Sequence, residues 1–103
     1  MQDIQRVETL KERAQHEYFN AVSANEWKRA GIAVLLEDGR IFSASPLTYS
    51  FAPQARESET EVLFSKVRAR YGHNIPKVQL IVRAVEDRKD YRAPRFEFGG
   101  KPQ

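Results

Sequence analysis

Side chains able to do acid–base or nucleophilic chemistry are scarce in this chain. It has two histidines, His16 and His73, and no cysteine. Thiolate nucleophiles, disulfide scaffolds, zinc knuckles and iron–sulfur ligation are thereby excluded together. A catalytic histidine needs an oriented partner, and the sequence neighbours, Glu17 beside His16 and Asn74 beside His73, set no geometry. His73 falls just past a predicted helix, where a dipole partner or a solvated side chain is the default. No HxH, HxxxH or HxxE spacing occurs, so no metal is expected. The glycines stand at 31, 39, 72, 99 and 100 and form none of the phosphate-cradling or nucleophile-elbow motifs, so no cofactor is expected either. The adjacent carboxylates Glu37-Asp38 and Glu86-Asp87 fall in predicted turns, where solvated acids are the rule. The expectation is a protein without catalysis, and a small nuclease using His16 or His73 with Arg and Tyr is the remaining enzymatic alternative.

Binding chemistry is better represented. Lys and Arg number 17 against 14 Asp and Glu, a net charge of +3. The excess gathers in residues 76–103, where Lys77, Arg83, Arg88, Lys89, Arg92, Arg95 and Lys101 outnumber Glu86, Asp87, Asp90 and Glu97. Arg and Tyr dominate interface energetics, so Arg83, Arg88, Lys89, Tyr91, Arg92 and Arg95 are the candidate contacts, with Trp27 and Tyr49 as secondary candidates. A protein partner is the first expectation, of inhibitor, immunity or adaptor type. Nucleic acid is the alternative, because Tyr91, Phe96 and Phe98 interleave with the basic residues and could stack on bases. The interspersed acids weigh against it, since dedicated nucleic-acid binders present a cleaner basic patch.

These residues must be positioned by a small fold. At 103 residues one α+β domain over 1–103 is expected, with a frayed tail at 99–103. Leu, Ile, Val and Phe supply about a quarter of the chain, above the floor of roughly 20% below which disorder is suspected. The longest apolar run, Ala30 to Leu36, is far short of the roughly 18 residues a membrane helix needs. MQDIQRVETLKERAQ lacks the apolar stretch of a secretory signal, and a cytoplasmic location is the expectation.

Ile4, Val7, Leu10, Ala14 and Tyr18 lie on one stripe of a helix over about 4–19, with Asp3 as its cap. A strand over about 27–37 follows, carrying Ile32, Val34 and Leu36 on one face and Ala33 and Leu35 on the other. Apolar residues on both sides mark a central or doubly covered strand. Asp38-Gly39 is a hairpin signal. A two-residue loop there would set Leu36 opposite Ile41 and Leu35 opposite Phe42. The returning strand is expected over about 41–51, bent at Pro46 because proline gives no N–H to the ladder, with a loop over 52–57.

Ser58-Glu59-Thr60-Glu61 is a capping box that opens a helix over about 59–71, with Leu63, Phe64, Val67 and Tyr71 as its buried stripe and Gly72 as its stop. Alternation then predicts strands over about 77–85 and 91–98. The resulting order is α-β-β-α-β-β, and the simplest layering sets both helices on one face of a four-stranded, mainly antiparallel sheet. Val7, Leu10, Val34, Leu36, Leu63, Val67, Leu80 and Val82 are the expected core.

Overall fold

The computed structural model describes residues 2–20, 30–49, 52–87, 89 and 93–99, and for residues 2–3, 47–49 and 52–57 it describes the backbone. The apolar run Ala30–Leu36 forms strand β1, and each of its residues is buried. β1 lies inside a four-stranded antiparallel sheet with β2 (Ile41–Ala44), β5 (Val78–Val85) and β6 (Arg95–Gly99), in the order β2-β1-β5-β6. Helix α1 (Gln2–Asn20) precedes the sheet, and helix α2 (Glu59–Tyr71) connects its second and third strands in sequence. The protein is thus an α+β fold with the element order α-β-β-α-β-β in its main sheet.

The two helices take opposite faces of the sheet, which corrects the expectation that both share one. Leu10, Ala14 and Tyr18 of α1 pack on Ala33, Leu35, Val82 and Ala84. Val62, Leu63 and Val67 of α2 pack on Ile32, Val34, Leu36 and Ala44. The cause is β1 itself, because neither of its apolar faces can be left in water. Contact on the α1 side is very close. A Cβ on Gly31 would sit 2.1 Å from the carbonyl oxygen of Ala14 and 2.5 Å from the nitrogen of Tyr18, so the helix backbone rests directly on the strand.

The β1–β2 turn also differs from expectation. Leu35 stands opposite Ile41 and Val34 opposite Phe42, one residue away from the two-residue-loop register. Leu36 donates to the Arg40 carbonyl at 3.0 Å and Gly39 donates to the Leu36 carbonyl at 2.9 Å, with Gly39 at φ 90°. That is the three-residue loop whose last position needs a left-handed conformation. The single-residue shift exchanges the faces of β2, sending Phe42 to the α2 side and Ile41 to the α1 side.

Beyond Pro46 the chain leaves the main sheet. β3 (Leu47–Tyr49) pairs with β4 (Ala52–Glu57) in a separate two-stranded antiparallel ribbon. The single bent strand expected to residue 51 is therefore two strands, and the loop expected over 52–57 is a strand. Pro53 deterred that assignment, yet in a two-stranded ribbon every strand is an edge and proline is tolerated. Residues 27–29, 50–51 and 91–92 of the expected strands lie outside the described residues, as does most of the expected tail.

Of the expected core, Leu10, Val34, Leu36, Leu63, Val67 and Val82 are buried, whereas Val7 and Leu80 are half-buried. Ile4, the first residue of the α1 stripe, is 68% exposed. Ser58 caps α2 as expected, accepting from the Glu61 N–H at 3.2 Å. Inside α2, however, Val62 is buried and Phe64 is 48% exposed.

Gly31→Ala should destabilise the fold by about 1–3 kcal/mol or more, since its methyl would meet helix backbone that has no rotamer to move. Gly99→Ala, with no atom within 4 Å of the new Cβ, should be nearly neutral. Urea unfolding of the two variants beside the wild type checks the contrast.

Candidate functional site

α2 lies over β1 and β2 and leaves a cleft between itself and β5. Leu63, Phe64 and Val67 line it from the helix, and Ile75, Val78 and Ile81 line it from the opposite side. The helix supplies its wall because positions 63, 64 and 67 share one side of a 3.6-residue period. The cleft measures about 40 Å³, and among the described residues its lining is apolar apart from Thr60. Small-molecule pockets run to about 300–1,000 Å³ with a few convergent polar groups, so this one suits the tip of an apolar side chain. Phe64 and Ile75, the latter 39% exposed, stand partly in solvent at its rim.

One end of the cleft is held by ion pairs. Glu59, in the first turn of α2, is buried, and its Oε2 accepts from Arg83 Nη2 at 2.8 Å. Arg83 Nη1 reaches Glu97 Oε1 at 3.4 Å, and Arg95 Nη2 reaches Glu97 Oε2 at 3.3 Å. Arg83 Nε is buried without a partner. Pairing of Ile32 with Arg83 and of Arg83 with Glu97 puts these charges on the α2 side of the sheet. The cluster contains two guanidiniums and two carboxylates, so it clamps α2, β5 and β6 together with little net charge.

The other end is tied through the β1–β2 turn. The Tyr71 hydroxyl donates to Asp38 Oδ2, the Arg40 N–H donates to Asp38 Oδ1 at 3.0 Å, and Phe42 meets the Tyr71 ring edge-on at 5.9 Å. The Tyr71 hydroxyl, aided by the Arg40 N–H, holds the Asp38 carboxyl below its usual range. Lost hydration, then the hydrogen bond to Asp38, pushes the Tyr71 phenol up.

A basic surface flanks this end. From residue 62 to residue 85 the chain has no carboxylate and carries Lys66, Arg68, Arg70, His73, Lys77 and Arg83. Arg68, Arg70, His73 and Lys77 are all exposed. Lys66 Nζ donates to the Ser43 carbonyl at 2.8 Å, and the Arg70 guanidinium lies 5.8 Å from the Tyr71 ring. On the opposite face of the sheet, Ser43 Oγ accepts from Arg13 at 3.1 Å and donates to Glu17 at 2.9 Å, fastening α1 to β2.

Of the candidate contacts read from sequence, Arg83 and Arg95 are brought together through Glu97. Lys89 is exposed, its N–H bonded to Asp87 Oδ1 at 2.9 Å. Tyr49 lies in β3, where only backbone is described; Trp27, Arg88, Tyr91 and Arg92 lie outside the described residues. His16 pairs with Asn20 Nδ2 at 2.9 Å on α1, whereas His73 lies in the turn just past α2, the helix covering the opposite face of the sheet. Among the described residues no group of three or more His, Asp or Glu could hold a metal ion, and no helix is long and apolar enough to cross a membrane.

Sequence reasoning missed Phe64, assigned to a buried stripe, and Ile75, assigned to a linker. It also missed the acid-free run, a legible signal, because grouping charges at residue 76 cut the run in two. No family model matches the chain and no curated protein matches its sequence, so the functional reading rests on this geometry.

Tyr71→Phe should return the Asp38 pKa toward the ordinary carboxylate range. A depressed folded-state pKa contributes stability above the unfolded value and loses it as pH falls through the folded one. The wild type should therefore lose stability more steeply on acidification than the variant. The raised Tyr71 pKa adds stability below the usual phenol range, lost as pH rises through the folded value. Carboxyl NMR titration and urea melts across pH read both.

Proposed function

We propose that this protein is a non-enzymatic binding module that recognises another protein through the α2–β5 cleft and the adjoining face of β5 and β6. The observation that carries this reading is an apolar cleft open to solvent beside an exposed phenylalanine. Interface anchors are apolar or aromatic groups that fill such recesses, surrounded by arginines that exclude water and fix register. Arg83 and Arg95, expected from sequence to make contacts, lie on that same face and are pre-ordered by Glu59 and Glu97. Ordering in advance lowers the entropy cost of engaging a partner.

Among the described residues no titratable side chain lines the cleft, which favours binding over bond making. An inhibitor, immunity or adaptor role suits such a surface. The nucleic-acid alternative draws on the basic run of α2 and on Phe64 as a stacking surface, but among the described residues Thr60 is the one polar side chain lining the cleft, which leaves base edges little to pair with.

Phe64→Ser combined with Ile75→Ser removes two partly exposed apolar groups, so the loss of folding stability should stay within about 2–3 kcal/mol. Affinity for a partner isolated from the native host should fall by about tenfold or more. Pull-down with and without nuclease, followed by titration calorimetry of the purified partner, reads the outcome. A partner lost on nuclease treatment would transfer the reading to nucleic acid, and unchanged affinity in the double variant would move the site off the cleft.

A further inference from the structure

We infer that the cleft receives an acidic amphipathic segment of its partner, one apolar anchor flanked by carboxylates. This rests on the reading of the cleft as a docking site and adds the chemistry of what docks. Size and lining define the anchor: about 40 Å³ walled by apolar residues, with Thr60 the one polar side chain among the described lining, accepts one aliphatic or aromatic tip and rejects a charged one.

The flanks follow from the distribution of charge along the cleft. At the Glu59 end, Arg83 and Arg95 face Glu59 and Glu97, and positive and negative groups balance. At the Ile75 end Arg40 pairs with Asp38 at 3.7 Å, and Arg68, Arg70 and Lys77 outnumber the one remaining carboxylate, Glu37, whose N–H donates to the Lys77 carbonyl at 2.9 Å. Arg68 follows the lining residue Val67, Lys77 precedes the lining residue Val78, and both are exposed. Neither has an ion-pair partner among the described residues. The helix dipole accounts for basic residues in the last turn of α2, where Arg68 and Arg70 stand. It does not account for Lys77, which lies beyond the helix on the approach to β5. A cleft compensated at one end and positive at the other selects a segment by charge and orients it, carboxylates toward Ile75 and Lys77.

Two other occupants fit less well. A second copy docked face to face about a two-fold axis through the cleft would set Arg68 and Lys77 against the charge-balanced Glu59 end of its mate, which offers no surplus carboxylate to meet them. A nucleic-acid strand would satisfy the basic rim and leave the apolar cleft empty.

The test is an NMR titration of the isotopically labelled full chain with three synthetic peptides that share one Leu–Phe anchor and carry Glu, Gln or Lys flanks. The Glu peptide should shift the amides of Phe64, Val67, Ile75 and Ile81. It should bind about tenfold more tightly than the Lys peptide, with the advantage shrinking as salt is raised. Arg68→Glu with Lys77→Glu, two exposed changes checked for folding by circular dichroism, should reverse the order. Equal binding of all three peptides at the cleft would overturn the acidic partner and leave the docking site standing. Failure of every peptide to move the cleft amides would overturn both. Concentration-dependent shifts in the protein alone would assign the cleft to a second copy. An oligothymidylate that binds more tightly than the Glu peptide would assign the rim to nucleic acid.

Discussion

The architecture depends on one strand that has no polar side. β1 runs from Ala30 to Leu36 without a group that could face water, so each of its faces must be covered. One helix covers each. Gly31 lets the α1 backbone descend onto the strand on one side, and Val62, Leu63 and Val67 close the other. The two cores meet only through the sheet, and each is small. Stability at this size comes from covering a shared strand twice, with no large single interior.

The docking surface follows from how the second cover is arranged. α2 sits over β1 and β2, while Ile81 on β5 forms the far side of a cleft whose near side is the helix. Three ties hold that offset, Glu59 to Arg83 at the start of the helix, Lys66 to the Ser43 carbonyl in its middle and Tyr71 to Asp38 at its end. Each joins the helix to a different part of the sheet, so the helix cannot rotate to seal the cleft without breaking one of them. A buried carboxylate deprived of its guanidinium would be an uncompensated charge, which gives the first tie its strength.

Much of the fold was legible in local patterns. The capping box at Ser58, the alternation of Val78 to Val85 and the stripe from Leu10 to Tyr18 each report a local preference, and each element is where those patterns set it. What was not legible depended on distant parts. The doubly apolar β1 announced its covering on both sides, but a simplest-layer argument outweighed it and set both helices together. The turn register hinged on whether Gly39 closed a two-residue or a three-residue loop, and Asp38-Gly39 is compatible with either. Burial of Phe64 could not be judged from periodicity, because the α2 stripe is offset by a partner strand more than a dozen residues away. Glu59 gave no sign of its tie to Arg83, since ion pairs across elements leave no mark in spacing.

Ser43 joins both halves of the molecule. Its hydroxyl is engaged by Arg13 and Glu17 from one face, and its carbonyl is engaged by Lys66 from the other. Residue pairing alternates between bonded and open along an antiparallel ladder. Leu36 bonds Arg40 and Val34 pairs with Phe42, so the Ser43 carbonyl points away from β1, along the outer border of the sheet. Lysine on a sheet border is a recurrent defence against pairing with stray strands, and here the ammonium occupies an acceptor that such a strand would need. The sheet is thereby sided: growth by a further strand is obstructed at β2, whereas the opposite border is β6, which pairs only with β5 among the described residues.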